Sequence, residues 1–166
     1  MILVAGALIL SEIAWMGDAS SANNEWFEVQ NVSAEPVSVM GFTLNWDSYK
    51  AVLGTSTIPA AGYKTFFRTK DYSGALGNDG EALTLKNGST TVQTIDAAKG
   101  WPAGDNVTKR TMQWDSNAAT WVTATATPNA AFQIQNEKFQ MKNEVPNPNV
   151  QIVSAPSSHV GSAPLP

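Results

Sequence analysis

Three glutamates, Glu12, Glu25 and Glu28, stand near one another early in the chain. Paired carboxylates are the raw material of general acid–base and glycosidase chemistry. A carboxylate near a strand end can equally accept backbone N–H bonds from a neighbouring loop. Two oxygen-rich loops form a second constellation, with Asp18, Asn23, Asn24 and Glu25 in one and Asn78, Asp79 and Glu81 in the other. Calcium takes several such ligands, yet neither loop follows the EF-hand order with its closing Glu. Turn geometry already accounts for Asn78-Asp79-Gly80. No metal and no cofactor are therefore expected, and Asp18, Glu25, Asp79 and Glu81 are the places where calcium would sit if any were held.

Nucleophilic chemistry finds less support. The chain has no Cys and one His, His159. That removes disulfides, Cys nucleophiles and Cys/His zinc sites, and a Ser–His–Asp triad would hang on a His in a Pro/Ser/Ala-rich tail. No G-x-S-x-G elbow occurs. Gly100-Trp101-Pro102-Ala103-Gly104 is no phosphate loop, because Pro102 lacks an N–H donor and no Lys follows. No catalytic residue is assigned.

Aromatic side chains are the remaining candidates. Trp15, Trp26 and Trp121 fall in strand motifs and read as core packing. Trp46, Trp101 and Trp114 lie near loops or strand ends, together with Tyr49 and Tyr72. Exposed aromatics at the end of a β domain stack on sugars or anchor a protein partner at low entropic cost. The competing reading has them clamping loops. Lys50, Lys64 and Lys86 are expected to be solvated, not buried beside a carboxylate in an isopeptide cross-link.

These residues need elements to position them, and the pattern is β. The 166 residues suffice for about one domain. Turn clusters recur at roughly 8–12-residue spacing, the rhythm of a sandwich or barrel. Leu8–Trp15, Glu25–Asn31, Val37–Val39 with Gly41–Trp46, Tyr63–Arg68, Glu81–Lys86, Thr91–Ile95, Lys109–Trp114 and Trp121-Val122 read as strands. Asn87-Gly88 reads as the type I′ turn of a hairpin whose buried face carries Leu83, Leu85 and Val92. Ala130–Glu144 lacks Pro and Gly and is read as an extended segment, with a helix as the alternative. From Pro146 the chain is rich in Pro, Ser and Ala, which cannot bury enough surface to order itself. It is expected to be an extended linker or stalk over 146–166.

Composition bounds the partners. Only 14% of residues are charged, the net charge is −4 and the pI is near 4.8. A nucleic-acid partner is excluded for want of clustered Lys and Arg. Met1–Leu10 is apolar but far shorter than the roughly 20 residues of a bilayer span. It lacks the basic n-region of a secretory signal, although Ala5-Gly6-Ala7 resembles a cleavage site. Residues 1–7 are thus a signal remnant or an extension of the first strand. No membrane span is expected.

Ser11-Glu12-Ile13-Ala14-Trp15-Met16-Gly17, then Asn24-Glu25-Trp26-Phe27-Glu28-Val29-Gln30-Asn31, then Pro36-Val37 before Gly41-Phe42-Thr43-Leu44, resemble the lamin-tail domain family. The likeness continues through Ile58-Pro59-Ala60-Ala61-Gly62-Tyr63, Asn78-Asp79-Gly80-Glu81-Ala82-Leu83-Thr84-Leu85, Trp101-Pro102-Ala103-Gly104, and Trp121 with Ala126-Thr127-Pro128-Asn129-Ala130. It departs at Asn129, where the family often has Gly. The resemblance implies an immunoglobulin-like β-sandwich without a disulfide over residues 8–130, followed by a terminal extension over 131–145 and then the stalk. It brings no catalytic residues, and all three glutamates lie in its motifs, which favours backbone capping over catalysis. No heptads of a filament rod occur here, so the prokaryotic, secreted or cell-surface version fits better.

The expected function is a non-catalytic structural or interaction module in adhesion or cell-envelope architecture, not an enzyme, with a protein or a surface glycan as partner. Two alternatives stand beside it. One is a self-associating fibre or sheet subunit joined by strand addition. The other is an accessory domain of a larger extracellular hydrolase.

Overall fold

Frequent β-branched and aromatic residues, punctuated by Gly, Pro and Asn, build eleven strands and no helix among the described residues. They are β1 (Leu8–Ala14), β2 (Trp26–Asn31), β3 (Val37–Ser38), β4 (Phe42–Trp46), β5 (Tyr49–Val52), β6 (Thr57–Ile58), β7 (Tyr63–Phe67), β8 (Ala82–Asn87), β9 (Thr90–Asp96), β10 (Thr111–Asp115) and β11 (Thr120–Ala124). The computed structural model describes residues 6–132. The expectations for residues 1–5, for 133–145, for the 146–166 stalk and for His159 lie outside the described residues. No described helix is long and apolar enough to cross a membrane.

The strands form a five-stranded sheet in the order β11-β10-β1-β2-β7, a four-stranded sheet β5-β4-β8-β9, and a ribbon β3-β6. Every pairing is antiparallel. Leu8, Leu10, Ile13, Phe27, Val29 and Met112 of the larger sheet meet Leu44, Leu83, Leu85, Val92 and Ile95 of the smaller one in a single apolar cluster. The two main sheets therefore share one core, as the layers of a β-sandwich do.

One irregularity decides where the acidic residues go. Strict alternation along β1 would put Glu12 on the same face as Leu8 and Leu10, inside the core. A bulge between Leu10 and Glu12 shifts the register at Ser11, so that Ile13 returns to the core opposite Phe27. Glu12 moves to the outer face, directly opposite Glu28. The Leu10 N–H beside this bulge is taken by the buried Gln93 Oε1 of β9, at 2.7 Å, which ties the two sheets together.

The hairpin between β8 and β9 forms one residue later than the sequence predicts. Asn87 pairs with Thr90, so the two turn residues are Gly88 and Ser89. Positive φ falls on Gly88 (+57°) and not on Asn87, the requirement of a II′ turn with Gly first. The β4–β5 hairpin is absent from the sequence reading because its turn, Asp47-Ser48, carries no Gly. It closes with Asp47 at φ +45°.

Gly80, at φ +100°, ends the Asn78-Asp79-Gly80 turn where a Cβ would overlap the Ala97 carbonyl oxygen and the Gly100 backbone. Gly54, at φ +80°, has open space around it. In thermal melts, Gly80→Ala is expected to cost several kcal/mol and Gly54→Ala only about 1 kcal/mol. Equal losses would contradict the packing assigned to the Gly80 turn.

Candidate functional site

Gln113 of β10, Glu12 of β1, Glu28 of β2 and Thr65 of β7 stand opposite one another in register across four adjacent strands. They make a polar row on the outer face of the larger sheet. Both carboxylates are nonetheless only 1% exposed, because the chain leaving β11 is bonded to this row. Glu12 accepts the Thr127 N–H at 3.1 Å, the Thr127 hydroxyl at 2.8 Å, the Thr111 hydroxyl at 2.5 Å and the Gln113 amide at 2.9 Å. Glu28 accepts the Asn129 N–H at 2.6 Å, the Ser11 hydroxyl at 2.8 Å and the Thr65 hydroxyl at 3.2 Å. Gln113 adds a bond to the Thr125 carbonyl at 2.6 Å, and the Asn129 side chain accepts the Thr65 N–H at 2.9 Å. Asn129 sits at φ +60°, a conformation Asn tolerates better than most residues.

Burial is the largest influence on both carboxyls and pushes them up, Glu28 to about 7, while the converging donors pull back. The charge of Glu12 raises Glu28 further.

Glu25 uses the same device on another loop. Its Oε2 accepts the Leu76 N–H at 2.8 Å, and Oε1 pairs with Arg68 Nη1 at 3.2 Å. Glu81 accepts the neighbouring Gly77 N–H at 2.8 Å. The indole N–H groups of Trp46 and Trp101 bond the Ala75 and Gly77 carbonyls at 2.9 and 2.7 Å, and Trp15 bonds Ala103 at 3.0 Å. Two carboxylates and two tryptophans thus hold residues 75–77.

The aromatic candidates do not converge on one surface. Trp46 (2% exposed) and Tyr72 (8%) are buried, with Tyr72 between Phe27 and Trp46, so neither offers a free face to a sugar or a partner. Tyr49, 46% exposed, leans on Trp46. Half-buried Trp101 stacks on Trp15 with centroids 6.0 Å apart, and Trp114 packs edge-on to its cross-strand neighbour Trp121 at 5.4 Å. Clamping of loops and strand ends describes Trp46 and Trp101 directly.

Of the oxygen-rich residues, Asp18 accepts from Ser20 N and Oγ, Ser21 N and Asn24 Nδ2, which hold its carboxyl far below the usual range. Glu25 faces a guanidinium where a cation would bind. Asp79 is exposed, and Glu81 serves Gly77 in a different loop. No group of three or more His, Asp or Glu is placed to hold a metal among the described residues.

Asp18 and Glu25 do share one feature, a cavity of about 330 Å³ at the end of β2 and β7. It is also lined by Asn24, Trp26, Phe67, Arg68, Thr69 and Lys70. The sequence pattern carries Arg68 only as the last residue of the strand Tyr63–Arg68 and gives Thr69 and Lys70 no role, so it does not mark this cavity. No protein-family model, curated protein or solved structure matches this chain.

Because the Glu28 carboxyl is raised above its ordinary value, the folded protein binds more protons than the unfolded one between about pH 4.5 and 7. Its stabilising contribution is full below that window and is lost as pH rises through about 7. Glu12 and Glu25 shift in the same sense. Denaturant unfolding should show stability falling from pH 4.5 to 8, by up to about 3 kcal/mol on account of Glu28, with Glu12 and Glu25 acting in the same direction. Glu28→Gln should flatten that slope, and stability that rises over this range would contradict the assignment.

Proposed function

We propose that residues 8–130 form an immunoglobulin-like sandwich of the lamin-tail type. It acts as a non-catalytic interaction module of a secreted or cell-surface protein, prokaryotic in type, in adhesion or envelope architecture. The observation that carries this reading is the use of the buried acidic groups. Glu12, Glu25 and Glu28, the residues best suited to acid–base work, each hold a backbone N–H of a distant loop. All three belong to the motifs on which the resemblance rests, and the same motifs supply Thr127 and Asn129, the amides being held. The departure at Asn129 also fits, because a Gly there would adopt the same positive φ. Two antiparallel sheets around one core support the sandwich.

A second reading, assembly by strand addition, draws on the sheet edges. At β7 the outward N–H groups of Thr65 and Phe67 are capped by Asn129 and Asp71 side chains, a common protection against pairing. At β5 the pairing leaves Lys50 and Val52 N–H pointing outward with no partner among the described residues, beside exposed Tyr49 and Val52 (58%). That edge is open to an extended segment of another copy.

Antibody labelling of intact source cells, compared with lysed ones, tests the module reading. Labelling of intact cells is expected, and signal confined to the lysate would contradict it. Turnover of glycans, esters, phosphoesters or peptides by the full chain, abolished by one point substitution, would also overturn it. Light scattering of the full chain beside Val52→Pro separates the second reading. Concentration-dependent growth lost in the variant supports strand addition, and monomer throughout removes it.

A further inference from the structure

The cavity at the end of β2 and β7 has unequal polar demands. Its anionic residues are already engaged, Asp18 by the loop that follows it and Glu25 by Leu76 and Arg68. Its cations are engaged only in part. Arg68 Nη1 donates to Asn23 Oδ1 at 3.2 Å and forms an ion pair with Glu25 Oε1, also at 3.2 Å. The Nη2 and Nε donors of the guanidinium have no acceptor among the described residues. Lys70 Nζ lies 5.9 Å from the centre of the Phe67 ring, without a hydrogen bond or ion pair there.

The turn that carries these two side chains is tightly held. Thr69, between them, is at φ +71°, an unusual conformation for a β-branched residue. It is kept by Thr69 N–H to Tyr72 O and Asp71 N–H to Phe67 O, both 2.8 Å. Half-buried Phe67 supplies an apolar wall, backed by the buried Trp26 ring with centroids 6.3 Å apart.

We propose that this cavity binds a uronate, the carboxylated ring of an acidic saccharide. The free Arg68 donors form the planar fork that suits a carboxylate, and Lys70 adds a second positive charge. A bare inorganic anion would leave the half-buried Phe67 ring unused, whereas the C–H face of a sugar ring packs on it. The volume suits one such ring, being near the lower end of the roughly 300–1,000 Å³ usual for ligand pockets. Asn24 and Thr69 also line the cavity. An acidic peptide fits less well, because β7 borders the cavity and its outward Thr65 and Phe67 N–H groups are already capped, so no main-chain ladder can form.

This goes beyond the module reading and is tested on the purified full chain, so its failure leaves the cellular placement untouched. NMR titration of the ¹⁵N-labelled protein with D-glucuronate should give saturable shifts at the Arg68, Thr69 and Lys70 amides. D-Glucose, acetate and inorganic phosphate should bind at least ~10-fold more weakly, as should glucuronate to Lys70→Glu with its thermal melt unchanged. Arg68→Lys, which keeps the charge but loses the fork, should also weaken glucuronate. Equal binding of glucose, undiminished binding to Lys70→Glu, shifts located elsewhere, or binding of a short acidic peptide in preference to glucuronate would each overturn the proposal.

Discussion

Two like-charged side chains face each other across β1 and β2, out of water, and the rest of the architecture is arranged so that this is tolerable. Glu12 and Glu28 are directly opposed, and such neighbours repel when both ionise. What compensates is a dense set of donors drawn from five other places: Ser11, Thr65, Thr111, Gln113 and the segment Thr127–Asn129. A buried carboxylate missing such donors costs far more than the bonds themselves yield. The pair therefore ties the last described residues to the first strands with high specificity. A small secreted domain often uses a cystine for such a long-range tie; this chain has no Cys and uses carboxylates.

The same principle governs the loop at 75–77. Glu25 and Glu81 take its N–H groups, while Trp46 and Trp101 take its carbonyls. Backbone polar groups that leave a sheet must be satisfied somewhere, and here side chains do it. One consequence reaches the surface. With the acidic groups of the cavity occupied by backbone and by Arg68, the remaining donors there are cationic, which sets the sign of any ligand. Charge left over from folding becomes charge offered for binding.

The strand pattern was largely legible, because alternation and turn residues are local signals. Leu8–Trp15 and Glu25–Asn31 coincide with β1 and β2 to within a residue. The hairpin slipped by one residue because Asn87-Gly88 and Gly88-Ser89 both satisfy turn chemistry, and only pairing across β8 and β9 selects between them. The two-residue turn at Asp47-Ser48 left too weak a signature to reveal β5. The bulge at Ser11 is visible as a phase change from Leu8 and Leu10 to Ile13, but its meaning depends on which face is buried. The aromatic residues were the least legible: proximity to a loop does not tell whether a ring points at solvent or reaches back to hold that loop. Positive φ at Thr69 left no trace in residue type, since a β-branched residue is the least expected there, whereas Asn129 is of a type that tolerates it.

Native-state hydrogen exchange on the full chain probes the central tie most directly. If Glu12 and Glu28 hold the Thr127–Asn129 segment, the Thr127 and Asn129 amides should be protected to a degree approaching that of Phe27 in β2, although they lie outside any strand. Exchange of those two amides as fast as that of the exposed Ser89 turn would contradict the account.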